Sequence, residues 1–460
     1  MSRPARGVRP CGHCGPTAAH YHLPVVSLRL RANPPRPRAH ASRLRANPSP
    51  RPHRPRPAAG AAVAAGAVLL GVLTGCGSGG SAADAAPTAS SASPAGSPGP
   101  AIGSAVTSPS PTGRPTASPT RTGAAHTPAP ARLQAGNPQG REPVPADGRA
   151  ADTSHPTRTI GHGSPAGCTS GAVVAAVAAG GVITFDCGPR PVVIVLTATA
   201  KVRNASPRVV IDGGGLVTLS GGGHRRILYM DTCDQRQGWT TSHCQDQSSP
   251  QLTVQNLTFA DGNATGQTAD GGGGGAVFVR GGRFKAVNTR FVRNRCDATG
   301  PDLGGAAVRV LDQYRGLPVY ITGSTFGGSS GQGGVCSNGG ALSSIGVSWV
   351  ITNSLFSYNS AIGSGANPAR AGTPGGGSGG AVYTDGNRYT VRLAGTLLTH
   401  NDAREGGGAL FFVSNDRTGT LTLVRSTGRA NPSRGFETAG CRGVFFLGSG
   451  HPVLDGATLS

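Results

Sequence analysis

The sequence predicts an all-β fold: a parallel β-helix solenoid with a short N-terminal capping helix, preceded by a long disordered N-terminal region. Three observations carry this. Two phrases recur in alternation between Leu252 and Leu410, the segments between them are strand-like, and composition divides the chain near residue 160. The first phrase is Gly-Gly-Ala followed by an aliphatic or small residue: Gly274 to Val277, Gly304 to Ala307, Gly339 to Leu342, Gly379 to Val382 and Gly407 to Leu410. Its spacing, counted between second glycines, is 30, 35, 40 and 28 residues. The second sets an aromatic residue or Leu three positions before Asn: Phe291 to Asn294, Phe356 to Asn359 and Leu398 to Asn401, with Phe259 and Phe326 in step. An internal repeat takes precedence over every other signal in assigning a fold.

The segments inside each repeat are short and rich in Val, Ile, Thr and Phe, and Gly, Asn and Ser bound them: Leu252 to Leu257, Ala276 to Val279, Val319 to Ile321, Trp349 to Ile351, Tyr389 to Leu393 and Leu421 to Val424. That is the composition of strands. Strands that repeat without crossover helices are parallel when the chain coils and equivalent residues stack from turn to turn. The aliphatic lane of Val277, Leu342, Val382 and Leu410 then fills the interior beside the aromatic lane of Phe259, Phe291, Phe326 and Phe356. Asn294, Asn359 and Asn401 suit a corner, since Asn tolerates left-handed backbone and bonds its neighbours in a ladder. The Gly-rich stretch Ser364 to Ser378 is a loop inserted at a corner.

This alternation resembles the repeat of the chlamydial polymorphic membrane proteins and of the wider pectate-lyase-like right-handed parallel β-helices. The resemblance runs from about Gly167 to the C-terminus and implies a right-handed coil. It does not imply one function, because this fold hosts lyases, hydrolases, adhesins and phage tailspikes.

The chain has 460 residues with a formal charge of +22, 75 Gly, 37 Pro and 37% hydrophobic residues, which excludes a single ordinary globule. Eighteen arginines and four acids precede residue 165, so most of the basic excess lies outside the repeats. Nucleic acid is accordingly not expected as a partner. Residues 1–57 form an Arg/Pro-rich leader in which Arg29-Leu30-Arg31-Ala32-Asn33-Pro34 returns at Arg43 to Pro48. Cys11-Gly12-His13-Cys14 lacks the flanking strand and helix of a thiol-exchange site. Residues 58–76 read as a signal: basic residues precede an apolar run from Ala58 to Thr74, too short and Ala/Gly-rich for a permanent span. The run ends in Leu73-Thr74-Gly75-Cys76, which resembles the bacterial lipobox and implies lipidation at Cys76. An extracytoplasmic protein held to the cell membrane by its lipid follows. Residues 77–164, mostly Ala, Ser, Pro, Thr and Gly, read as a disordered stalk with too little apolar surface to offset ordering.

The β-helix domain, residues 165–460, opens with a short helix that Thr169 caps and Gly180-Gly181 ends. Strands at Val182 to Phe185, Val192 to Leu196, Val209 to Asp212 and Val217 to Leu219 follow. Neighbour pairing of cysteines joins Cys168 to Cys187, Cys233 to Cys244 and Cys296 to Cys336, and assigns no neighbour to Cys441. No cysteine–histidine cluster has zinc spacing, so no metal site is expected from the cysteines.

Three segments are candidates for function. The polar segment Asp231 to Gln247 breaks the repeat and holds Asp231, Asp234, Trp239, His243 and Asp246. An indole stacks on a sugar ring and carboxylates accept its hydroxyls; the same oxygens also suit calcium. The basic set Arg280, Arg283, Lys285, Arg290, Arg293 and Arg295 suits a polyanion on neighbouring turns. His400-Asn401-Asp402-Ala403-Arg404-Glu405 contains acid/base residue types, with His400 and Asp402 the catalytic candidates. Asp212, in Val210-Ile211-Asp212-Gly213-Gly214-Gly215, matches a first-turn phrase of the pectate-lyase-like proteins, where the resemblance implies a structural carboxylate and leaves a catalytic one as the alternative. The Arg-x-Pro-x-x-Arg phrase of pectate lyases and the Asn-Thr-Asp and Arg-Ile-Lys phrases of galacturonases do not occur in the domain, and Gly161-His162-Gly163 falls in the stalk. No catalytic residue carries over. The expected function is therefore adhesin-like binding of carbohydrate or another surface polymer, with a polysaccharide lyase or glycoside hydrolase as the first alternative and a purely structural surface protein as the second.

Overall fold

The computed structural model describes residues 132–460, together with the backbone of Arg9–Pro10. The leader, the signal segment with Cys76 and the greater part of the stalk lie outside the described residues. Parallel strands coil into a β-helix with three sheets of eighteen, eight and three strands. Arg9–Pro10 is antiparallel to Val453–Leu454 at the edge of the longest sheet. The expected capping helix is Ser170–Ala179, where the Thr169 side chain accepts the Ala172 N–H and Gly180 (φ 70°) ends the helix. Val173 and Val177 of the helix are completely buried.

Both predicted lanes stack in register. Val277, Val308, Leu342, Val382, Leu410 and Val444 pair in succession along the second sheet. Val308 holds this lane in its turn, so the aligned phrase there is Gly305-Ala306-Ala307-Val308, one residue later than the Gly-Gly-Ala match suggested. The rings of Phe259, Phe291, Phe326 and Phe356 are parallel, with centroids 5.3, 4.5 and 4.6 Å apart. Leu398 continues that lane.

The corners depart in detail from the expectation. Asn294, Asn359 and Asn401 are buried, and Asn359 Nδ2 donates to Asn401 Oδ1 (2.9 Å), whose own amide donates to Asn431 Oδ1 (2.9 Å). The left-handed residues are their predecessors Arg293, Tyr358 and His400, with φ of 52°, 60° and 55°. The asparagine satisfies backbone groups of the corner and its predecessor makes the bend. A second corner divides the long sheet at left-handed Asn256, Asn288, Asn353 and Arg425. Behind it runs a hydroxyl ladder, in which Thr289 N donates to Ser324 Oγ (3.2 Å), Ser324 N to Ser354 Oγ (3.2 Å) and Thr396 N to Ser426 Oγ (3.1 Å).

The stalk boundary also moves. Residues 132–164, assigned to the stalk by composition, form a strap along the long sheet and then the first parallel strand of the coil, Arg158–Ile160. From Leu133, bonded to Gly215 O (2.9 Å), the strap reaches Glu142, whose carboxylate pairs with Arg425. It returns past Lys285, which donates to the carbonyls of Asp147 and Arg149 (3.1 and 2.7 Å), to Thr153 on Asp212 (2.9 Å). Docking relies on polar groups. Asn288 Oδ1 accepts Ala135 N and Asn353 Oδ1 accepts Glu142 N, both at 2.9 Å. A count of apolar residues does not register such contacts.

The pairs Cys168–Cys187, Cys233–Cys244 and Cys296–Cys336 are disulfides, and Cys441 is disulfide-bonded as well. Among the described residues, no helix is long and apolar enough to cross a membrane.

Candidate functional site

A cleft of about 700 Å³ lies on the outward face of the second sheet. Its floor follows from strand alternation. In Leu228–Asp231, Leu228 and Met230 point into the core, so Tyr229 and Asp231 point outward. On the next turn, Val277 and Val279 are interior while Phe278 and Arg280 pair with Tyr229 and Asp231. The Tyr229 and Phe278 rings stack at 5.4 Å, and Lys201 Nζ stands 5.3 Å over the Tyr229 ring. One wall is the Cys233–Cys244 loop; Asp270 and Gln267 belong to the facing wall.

Polar groups converge at Asp231. The Tyr229 hydroxyl donates to Asp231 Oδ2 (3.2 Å), Arg280 Nη1 reaches the same oxygen (3.3 Å), and Cys233 N donates to Oδ1 (2.8 Å). Burial pushes the Asp231 carboxyl above its ordinary value against the opposing pull of Arg280. Burial and the Asp231 charge drive the Tyr229 phenol far upward, so it stays a neutral donor. Arg226, 1% exposed, lies 4.6 Å over the Phe278 ring. It pairs with Asp270 (2.6 Å) and donates to the carbonyls of Gly273 and Gly274 (2.7 and 3.1 Å), which fixes the facing wall.

The remaining candidates separate. Of the inserted segment, Asp231 and Asp234 line the cleft. Asp234 also caps the short helix Gln235–Gln237 by accepting Arg236 N (3.0 Å). Trp239 is 70% exposed and outside the cleft lining, as is the exposed His243. Asp246 accepts Arg315 N (2.8 Å). These carboxylates face separate partners, and among the described residues no group of three or more His, Cys, Asp or Glu is placed to hold a metal ion.

The basic set wraps the perimeter of one turn and makes no single patch. Arg280 lines the cleft, Lys285 lies under the strap beside Arg283 on the same strand, and Arg293 pairs with Asp261 (2.7 Å) at a corner. Arg290 is on the long sheet and Arg295 bridges to Asn263 and Val335 near the third sheet. In the corner segment, His400 stacks on Tyr358 at 5.0 Å, and Asp402 pairs with Arg434 (2.9 Å). Glu405 pairs with Arg370 (2.9 Å). Asp212 accepts Thr153 Oγ1, Gly214 N, Gln255 Nε2 and Asn256 Nδ2 at 2.8–3.0 Å, so it ties the strap to the first turns.

Sequence reasoning singled out Asp231 and Arg280 but missed Tyr229, Lys201, Arg226 and Asp270. Tyr229 was within reach, because it lies two residues before Asp231 and a strand places both on one face.

Fold and cleft together define a parallel β-helix with an open, aromatic-floored groove on its second sheet. No protein-family model, curated protein or solved structure matches the chain.

Proposed function

We infer that this chain is a surface protein of the pectate-lyase-like kind, lipid-anchored at Cys76 outside the cytoplasm, whose second-sheet cleft binds carbohydrate or another surface polymer. One observation carries the reading: the stacked Tyr229–Phe278 floor adjoins the Asp231–Arg280 pair within the cleft. Aromatic faces pack against the C–H face of a sugar ring, while a carboxylate and a guanidinium bond its hydroxyls and acidic groups in fixed directions. Fixed polar groups on an apolar floor are the general design of a ligand site.

The test is calorimetric titration of residues 132–460 with neutral and anionic polysaccharides, with calcium and with chelator. Retention of at least one polymer, abolished by Tyr229→Ala, is the expected result. Equal retention by Tyr229→Ala would move the site off the cleft. A second reading, a lyase or hydrolase, is favoured by the proton affinity of Asp231 beside a neutral phenol. It requires chain shortening, with unsaturated ultraviolet-absorbing ends if the enzyme is a lyase, and intact polymer throughout the panel removes it.

A further inference from the structure

The phrase that makes the cleft occurs twice. Tyr229-Met230-Asp231 and Tyr383-Thr384-Asp385 sit on second-sheet strands with their tyrosines in one outward lane, Tyr229, Phe278, Arg309, Ser343, Tyr383, Phe411 and Phe445. The local geometry repeats. Tyr383 donates to Asp385 Oδ2 (3.3 Å), as Tyr229 donates to Asp231 Oδ2 (3.2 Å). The Tyr383 ring stacks on Phe411 of the next turn at 5.0 Å, as Tyr229 stacks on Phe278 at 5.4 Å. Four strand steps separate the two, or ~19 Å at ~4.8 Å per step.

The copies differ in cover and in charge. Tyr383 is completely buried under the inserted segment 364–378, and Asn367 of that segment enters the copy. Asn367 Nδ2 lies 2.9 Å from Tyr383 Oη, 3.1 Å from Asp385 Oδ2 and 2.9 Å from Asp302 Oδ1. An amide nitrogen carries two hydrogens, so three oxygens converge on a group that satisfies two of them. Where Asp231 faces Arg280, Asp385 has no ion-pair partner among the described residues.

The covering segment is built as a flap. Residues 368–372 are exposed, and two antiparallel bridges, Ser364 to Gly375 and Ala366 to Gly376, close its neck. A polar clasp holds it down, in which Glu405 accepts Gly365 N (2.8 Å) and both Arg370 Nη groups (2.9 Å each). Arg370 is the solvent-facing member of this clasp (59% exposed) and Glu405 the buried one, so the clasp exchanges with water from the Arg370 side.

We propose that Tyr383, Asp385 and Asp302 form a second binding subsite for a polyhydroxylated saccharide, closed by segment 364–378, in which the Asn367 amide stands where a ligand hydroxyl or amide donor binds. This rests on the polymer-binding reading of the Tyr229 cleft.

The experiment uses the full-length chain carrying Cys76→Ser, titrated by calorimetry with tetragalacturonate, cellotetraose and chitotetraose. The wild-type flap is expected to admit one tetramer, at the Tyr229 cleft. Asn367→Ala should admit a second, and adding Asp385→Asn should return the stoichiometry to one. Glu405→Gln, which loosens only the root of the flap, serves as the independent opening variant should Asn367→Ala fold poorly. A wild-type chain that binds a tetramer while both opening variants keep its stoichiometry overturns the second subsite and leaves the first intact. A wild-type chain that binds none of the three overturns the reading of the first cleft and this proposal with it.

Discussion

Asp231 is held in the cleft at a cost to the fold. The folded state raises its pKa above the ordinary 3.8, chiefly through burial, so folding favours the protonated form. The penalty on the ionised form is fully present above the folded pKa. It fades as pH falls from there to the unfolded value. Asp231→Asn removes the penalty and also a carboxylate that organises Tyr229, Arg280 and the Cys233 turn. The expected outcome is polymer affinity at least about tenfold weaker, ~1.4 kcal/mol, with Tm at neutral pH unchanged or higher. The Tm gap between variant and wild type should narrow as pH falls toward 3.8 and be closed below it. A variant that loses affinity and Tm together would make Asp231 a structural residue. Glu405 behaves oppositely. Burial disfavours its charge, but the bonds from Arg370 and Gly365 outweigh this and hold it below its ordinary value. Its contribution is present above the unfolded pKa and lost as pH falls through the folded one. Residue type alone did not distinguish the two acids. Glu405 belonged to the segment with the fuller acid/base inventory, yet its position opposite Arg370 makes it a clasp.

At the scale of the element, stacking was legible because side chains of one lane must match in volume from turn to turn. The phenylalanine lane is the clearest case. Phe326 lies between Phe291 and Phe356, completely buried, and touches both rings. Phe326→Ala should cost ~3–5 kcal/mol in chemical denaturation. Phe326→Leu, the residue type this lane already uses at Leu398, should cost less than ~1.5 kcal/mol. Similar costs for the two would mean that the ladder is not packed as described. Corners were less legible, since a bend is set by backbone rather than by composition. The asparagines were found, but the left-handed residues before them are Arg293, Tyr358 and His400, types with no common signature. Glycine gives the opposite lesson. A Cβ on Gly275 would lie 2.5 Å from Arg295 O, so the recurrent Gly reports close approach of turns as well as a bend. The cleft wall depends on a covalent element too. Reducing Cys233–Cys244 or replacing it with serines should weaken polymer binding while leaving the β-helix circular dichroism unchanged, because the disulfide closes a loop outside the strand ladder.

At the scale of the whole molecule, function depends on which side of the cylinder stays uncovered. The cylinder itself was readable from repeats, but each strand in a solenoid has an outward face, and pattern alone does not tell which face another segment covers. The strap from residue 132 to residue 157 settles this for the long sheet. It docks on corner asparagines and on Asp212, and it is anchored at its far point by the Glu142–Arg425 pair. The second sheet, with its cleft, bears none of these strap contacts. Strap and cleft are therefore separable. A chain beginning at residue 158 should unfold at a lower temperature than one beginning at residue 132, because Asn288 and Asn353 lose their strap partners and Arg425 its glutamate. Each net hydrogen bond lost costs ~0.5–1.5 kcal/mol, offset in part by the ordering of a strap no longer required. Amides of the long sheet, such as those of Arg283–Val287, should gain hydrogen exchange, whereas those of Val277–Arg280 should not. Polymer affinity should be unchanged at a temperature where both chains are folded. Equal exchange gains in the two sheets would show that the strap braces the whole cylinder, and an affinity that falls on strap deletion while the rest of the fold is intact would place part of the binding surface on the strap or the long sheet.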